Sequence, residues 1–85
     1  MVLEKRRDKL EIIKSILSIC KKDDATKTRI VYRANLNFKT AGIYLNWLIN
    51  KELVTKDENH FKLKLKGNEL LSNLQDISTL FNEVI

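Results

Sequence analysis

Apolar residues recur along this chain with two different periods, and the changes of period mark out its elements. From Glu4 to Lys22 they fall into two helical sets: Leu10, Ile13, Leu17 and Cys20, and Ile12, Ile16 and Ile19. A helix apolar over so much of its circumference must be covered from two directions, which predicts the centre of the core. Lys21 and Lys22, favourable near the negative end of a helix dipole, mark its close together with Asp23 and Asp24. Thr26 is placed to cap a second helix. There Ile30, Val31 and Ala34 share one side, while Lys27, Arg29 and Arg33 fall elsewhere. After a three-residue break, Ala41, Leu45, Leu48 and Ile49 follow the i, i+4, i+7, i+8 spacing of a third helix buried along one stripe. Asn37 is a good N-cap for that helix, and Leu36 can staple against Ala41.

The period then shortens. Leu53 and Val54, a polar run from Lys56 to His60, and Phe61, Leu63 and Leu65 alternating with Lys62, Lys64 and Lys66 predict a two-stranded hairpin. Gly67 separates it from a last helix whose Leu70, Leu74, Ile77, Phe81 and Val84 are spaced as a heptad seam. Two short helices joined by a capped break form the frame of a helix-turn-helix, and three helices followed by a hairpin is the order of a winged helix.

With 85 residues the chain holds one small core, and help from a second copy is plausible. The single cysteine forms no intrachain disulfide and sits in an apolar helical pattern, so Cys20 is expected to pack and not react. No apolar run is long enough to cross a bilayer, and the N-terminus lacks the uncharged stretch of a signal peptide, so a cytoplasmic protein is expected. Charge is unevenly spread. All sixteen Lys and Arg precede Gly67, against eight acids there, a balance of +8, whereas residues 67–85 carry only Glu69, Asp76 and Glu83. Domain organisation is read accordingly, as a basic body over residues 1–66 and a C-terminal helix over 67–85. A basic body suits a polyanion, because each phosphate neutralised releases condensed counterion. The plainer reading is a lysine-rich, soluble surface.

The runs KTRIVYRANLNFKTAGIYLNWLINKELV and HFKLKLKGNELL carry a more specific signal. They contain K-T-R-I-x-Y-x-A-N-L, an aromatic-Lys pair, Y-L-x-x-L and an aromatic-x-L-x-x-K-G-x-x-L segment. This pattern resembles the archaeal winged-helix family typified by small dimeric Sulfolobus chromatin proteins. The resemblance implies an α+β, mainly helical fold, a winged helix-turn-helix of three helices plus a two-stranded wing. It also implies a C-terminal helix that pairs two copies through an antiparallel coiled coil. Two positions depart from the family: Glu52 stands where Gly is usual and Leu65 where Thr is usual. The first puts a side chain where a helix end often wants positive φ, and the second removes a hydroxyl cap from the final helix. From Gly67 that helix spans roughly 28 Å at 1.5 Å per residue, which excludes a long rod and leaves a compact pair.

For such a fold the expected partner is double-stranded DNA, nucleoid-associated, with the third helix in the major groove. Its outward set is Lys39, Thr40, Ile43, Asn46, Trp47 and Asn50. Lys39, Thr40 and Asn46 are the expected contacts, with Lys27, Arg29, Arg33, Lys62 and Lys64 on phosphates. Asp57 and Glu58 would be repelled by the backbone, which keeps the wing tip out of the groove. Ile43 and Trp47 have three readings: packing at the core or flank, a protein docking surface, or direct DNA contact. Tyr32 and Tyr44 are expected at the core edge. The last helix has two readings, along the first helix of its own chain or across a homodimer through Leu70, Leu74, Ile77, Phe81 and Val84; pairing is favoured. Catalysis is not expected: His60 is the only histidine and reads as a surface residue, and two glycines build no phosphate-cradling loop. No cofactor, metal or small-molecule substrate is expected. The favoured function is an archaeal transcriptional regulator or chromatin protein acting as a homodimer. The competing one is a winged-helix protein adaptor that docks through Ile43 and Trp47.

Overall fold

The structure, a computed structural model, describes residues 8–22 and 25–84. Its elements run α1 (Lys9–Lys21), α2 (Lys27–Ala34), α3 (Phe38–Asn50), β1 (Val54–Asp57), β2 (His60–Leu63) and α4 (Leu65–Asn82). The winged-helix order expected from the sequence is therefore present, with the C-terminal helix after it.

Side-chain caps fix the first three helix starts. Asp8 is extended and its Oδ1 accepts the Glu11 N–H at 2.9 Å, so α1 begins at Lys9, later than periodicity alone suggests; Glu4 to Arg7 lie outside the described residues. Thr26 Oγ1 accepts from the Arg29 N–H at 3.2 Å, and Asn37 Oδ1 from the Thr40 N–H at 2.7 Å. Each satisfies one of the early N–H groups that a helix cannot pair internally. Between α2 and α3, Asn35 takes the left-handed conformation (φ 56°), and the Leu36 N–H reaches back to the Val31 carbonyl at 3.0 Å. Asn tolerates that conformation better than most residues, so the turn is compact at little cost.

The core joins one side of every helix to the inner face of the hairpin: Ile16, Leu17 and Cys20 from α1, Ile30 and Ala34 from α2, Leu45 and Leu48 from α3, then Leu53, Val54, Phe61 and Leu71. Ile12, Ile13 and Ile19 pack against it as partly buried neighbours, so α1 is covered from two directions as its pattern required, although Leu10 stays exposed. Burial pushes the Cys20 thiol up to about 12, which keeps it protonated and unreactive at neutral pH. Of the two tyrosines, Tyr44 sits at the core edge as expected. Tyr32 does not: it is 79% exposed, because on α2 it falls opposite Ile30 and Ala34.

β1 and β2 pair antiparallel, with Val54 opposite Leu63, Thr55 opposite Lys62, Lys56 opposite Phe61 and Asp57 opposite His60. The loop before α2 adds a third edge, through a bridge between Thr26 and His60 and a 2.9 Å bond from the Phe61 N–H to the Ala25 carbonyl.

The alternation read through Leu65 and Lys66 ends sooner. Leu65 is the first residue of α4 and is 77% exposed. Gly67 is not a separator but a buried residue in the first turn of α4, where a Cβ would collide with the Leu53 carbonyl oxygen. That carbonyl also accepts the Lys64 N–H at 3.0 Å, so hairpin and helix meet backbone to backbone. Glu52 sits at positive φ (64°), as the departure from Gly there led one to expect. α4 starts without a side-chain cap, but its capping position is Lys64, so Leu65, already inside the helix, is not the residue whose identity removes that cap.

Candidate nucleic-acid interface

Because Ala41, Leu45 and Leu48 turn into the core, the opposite side of α3 faces outward by helical geometry. Lys39, Asn46 and Asn50 are exposed there and Thr40 is half-buried at the helix start. Ile43 is 61% exposed and Trp47 43%, so neither is a core residue. Trp47 leans toward α1, where it lines an apolar hollow with Lys9, Ile13, Ile43 and Tyr44, and the Lys51 ammonium lies 6.0 Å from its ring centroid.

The cations expected on phosphates divide among three surfaces. Lys27 lies across the first turns of α3, its ammonium 5.8 Å from the centre of the Phe38 ring. Gly42 makes room for it, since even a Cβ there would come within 3.2 Å of that nitrogen. Arg29 is exposed on the first turn of α2. Arg33 does not flank α3. It lines a hollow of about 680 Å³ between α1 and α4, together with Asp8, Glu11, Lys14 and Phe81. Lys62 and Lys64 border a third hollow with Lys21, Lys22 and His60, at the end of α1 and the start of α4. Lys64 also lies 3.7 Å from the Glu52 carboxylate. At that distance, with both side chains largely in solvent, the pair contributes little.

One further cation, beside the start of α2, is not among the contacts expected from the sequence. Lys56 falls in the polar run that reads as the turn, yet it pairs with Phe61 across the hairpin, and its ammonium lies 5.7 Å from that ring. It shares a hollow with Thr26, Lys27, Thr28 and Asn59, which puts it beside the start of α2. The signal was in the register: residues opposite one another share a face, so the partner of inward Phe61 cannot lie on the face of Lys62. Asp57 and Glu58 form the exposed wing tip.

A family model described as winged helix-turn-helix matches residues 6–82. The chain belongs to that family. Two proteins of Methanocaldococcus jannaschii are similar to it: the uncharacterized MJ0290, 36% identical over 75 residues, and the uncharacterized MJ0287, 34% identical over 77 residues. The matched parts cover 88% and 91% of this chain. They make up 36% of MJ0290 and 79% of MJ0287, so this winged helix spans about a third of the first relative.

Among solved structures, the crystal structure of Sso10a-2, a DNA-binding protein from Sulfolobus solfataricus, superposes with a TM-score of 0.77 at 22% identity, over 92% of this chain and 85% of that one. A Listeria innocua protein of unknown function gives 0.73 at 19% identity, over 87% and 60%. At these identities the likeness speaks for the winged-helix fold. Among the described residues no helix is long and apolar enough to cross a membrane, and no three His, Cys, Asp or Glu side chains are grouped to hold a metal ion.

In the C-terminal helix, Leu71 is buried to 1% exposure and Leu70 and Leu74 pack partly against the same core. Farther along, the Lys14 ammonium donates to Ser78 Oγ at 3.0 Å, tying α1 to α4. Ile77 just before that tie and Leu80, Phe81 and Val84 beyond it are exposed, as is Leu10 on α1. The predicted seam is thus divided: its first two residues pack on their own domain, and its last three are exposed, Ile77 and Phe81 along the open hollow beside α1.

Proposed function

We propose that this chain is a DNA-binding winged helix that acts as a homodimer in archaeal transcription control or chromatin organisation, in the cytoplasm and on the nucleoid. The observation that carries this reading is the uncovered outer side of α3, with Lys39 on it and Lys27 laid along its first turns. An α-helix fits the major groove, and helices so flanked by cations are held there by phosphate contacts. The DNA-binding description of the structurally similar Sulfolobus protein supports the same reading. Lys27, Arg29, Lys39, Thr40 and Asn46 are the first-choice contacts, with Lys56 added. Arg33, Lys62 and Lys64 contact DNA only where the duplex runs beyond α3.

The test is a titration of duplex DNA at several salt concentrations. About five phosphate contacts give a slope near −4 to −5 in log affinity against log salt. A slope near zero contradicts the proposal.

Homodimer formation is supported by the exposed apolar end of α4, where Ile77, Phe81 and Val84 continue the seam and Leu80 widens it. Sedimentation equilibrium of the full chain and of Phe81→Asp tests this: a dimer that the charge converts to monomer is expected, and a wild-type monomer at high concentration refutes it. The exposed Ile43 and Trp47 pair also favours a second reading, a protein adaptor, in which Trp47→Ala abolishes a protein complex and spares DNA affinity. No catalytic role is proposed.

A further inference from the structure

The chemistry on the outer side of α3 is selective. Residues 38–50 contain one charged side chain, Lys39, and no Arg, Asp or Glu. In the major groove guanine is read by Arg or Lys, cytosine by a carboxylate that accepts from its amino group, adenine by Asn or Gln, and thymine through its methyl group by apolar side chains. The exposed residues of α3 therefore include two readers for adenine, Asn46 and Asn50, and an apolar pair, Ile43 and Trp47, against one residue able to read guanine, Lys39 in the first turn, and no reader for cytosine.

Their arrangement is as informative as their identity. Ile43 and Trp47 stand one turn apart, as do Asn46 and Asn50, so the two pairs form adjacent ridges along one helix face. The apolar ridge is fixed from behind by the hollow it shares with Ile13 and Tyr44, and from the end by Lys51 over the Trp47 ring. An aliphatic side chain as exposed as Ile43, in the middle of a face otherwise free of bulky apolar groups on its amide side, gains from covering by another apolar group.

We propose that Ile43, backed by Trp47, reads thymine methyl groups while Asn46 and Asn50 read adenine, so that the protein prefers A·T-rich major grooves. The inference rests on the DNA-binding reading and adds to it the class of sequence that is bound.

The experiment is fluorescence anisotropy of the full chain with an A·T-rich duplex and the same duplex carrying uracil for thymine, which removes the methyl groups and leaves pairing and backbone charge in place. Affinity is expected to fall about fourfold for each methyl group that becomes buried. A mixed duplex with 5-methylcytosine for cytosine is expected to bind more tightly than the unmethylated one. Ile43→Ala, at an exposed position that leaves the core intact, is expected to bind the thymine and uracil duplexes alike. Trp47→Ala is expected to reduce the difference without abolishing it.

Equal affinity of the wild type for both duplexes, with salt-dependent binding retained, overturns the methyl-reading proposal and spares DNA binding. Full discrimination retained by Ile43→Ala overturns the assignment to that residue. Failure of every duplex to bind overturns both this inference and the reading beneath it.

Discussion

The α2–α3 junction and the wing–α4 junction hold the same small domain together by opposite means. The first is written in local terms. Asn35 turns the chain at positive φ, Asn37 caps α3 through its own side chain, and every bond involved spans a few residues. The second is assembled from segments that are distant in sequence. α4 starts without a side-chain cap, Glu52 is held at positive φ, and Gly67 lets the helix settle on the Leu53 carbonyl. Local junctions survive the loss of one group at modest cost, whereas a close backbone approach has no slack to absorb even one methyl group.

The largest expected effect follows from that contrast. Gly67→Ala drives a Cβ into the Leu53 carbonyl and is expected to cost about 3 kcal/mol or more, since backbone cannot move aside as a side-chain tip can. An unchanged urea midpoint for this variant would show that the two junctions are not different in kind. At the local junction, Asn37→Ala removes the acceptor for the Thr40 N–H and is expected to cost about 1 kcal/mol, read in the same denaturation experiment. A loss as large as that of Gly67→Ala would reverse the comparison.

The contrast also explains what was legible in the sequence. Helix caps and the stripe of Ala41, Leu45 and Leu48 were readable because both depend on neighbours within a turn or two. Gly67 reads locally as a separator because the contact that demands it, the Leu53 carbonyl, comes from across the hairpin. Leu65 continues an alternating pattern that the chain abandons after Lys64, the cap residue before α4 begins at Leu65 itself. The candidate interface divides in the same way. The outer residues of α3 follow from one helical wheel. The separation of Lys56 from Lys62 needs the strand register, and the place of Arg33 needs the packing of α1 against α4. Leu71 lies off the heptad seam yet is the most buried of the α4 leucines, because the first turns of that helix belong to the domain core before any pairing begins.

Two smaller effects sharpen the comparison. Glu52→Gly relieves a non-glycine residue of positive φ and gives up only an exposed ion pair with Lys64, so thermal denaturation is expected to show a gain of about 1 kcal/mol. A loss instead would assign Glu52 a role beyond its backbone. Cys20 tests the core that both junctions enclose. Its thiol holds its proton up to about 12 in the folded chain but only to 9.0 when unfolded, so its contribution is whole below pH 9.0 and fades as pH climbs toward 12. At neutral pH a thiol reagent is expected to modify it at the rate of opening and not at the rate of a free thiol; immediate reaction would mean that α1 is not packed as described.

The central claim is that the outer side of α3 meets DNA, and amide chemical-shift mapping during addition of a short duplex tests it most directly. The expected result is a set of perturbations concentrated at Lys39, Ile43, Asn46, Trp47 and Asn50, joined by Lys27 and Lys56. Perturbations confined to α4, or none at low salt, would contradict it.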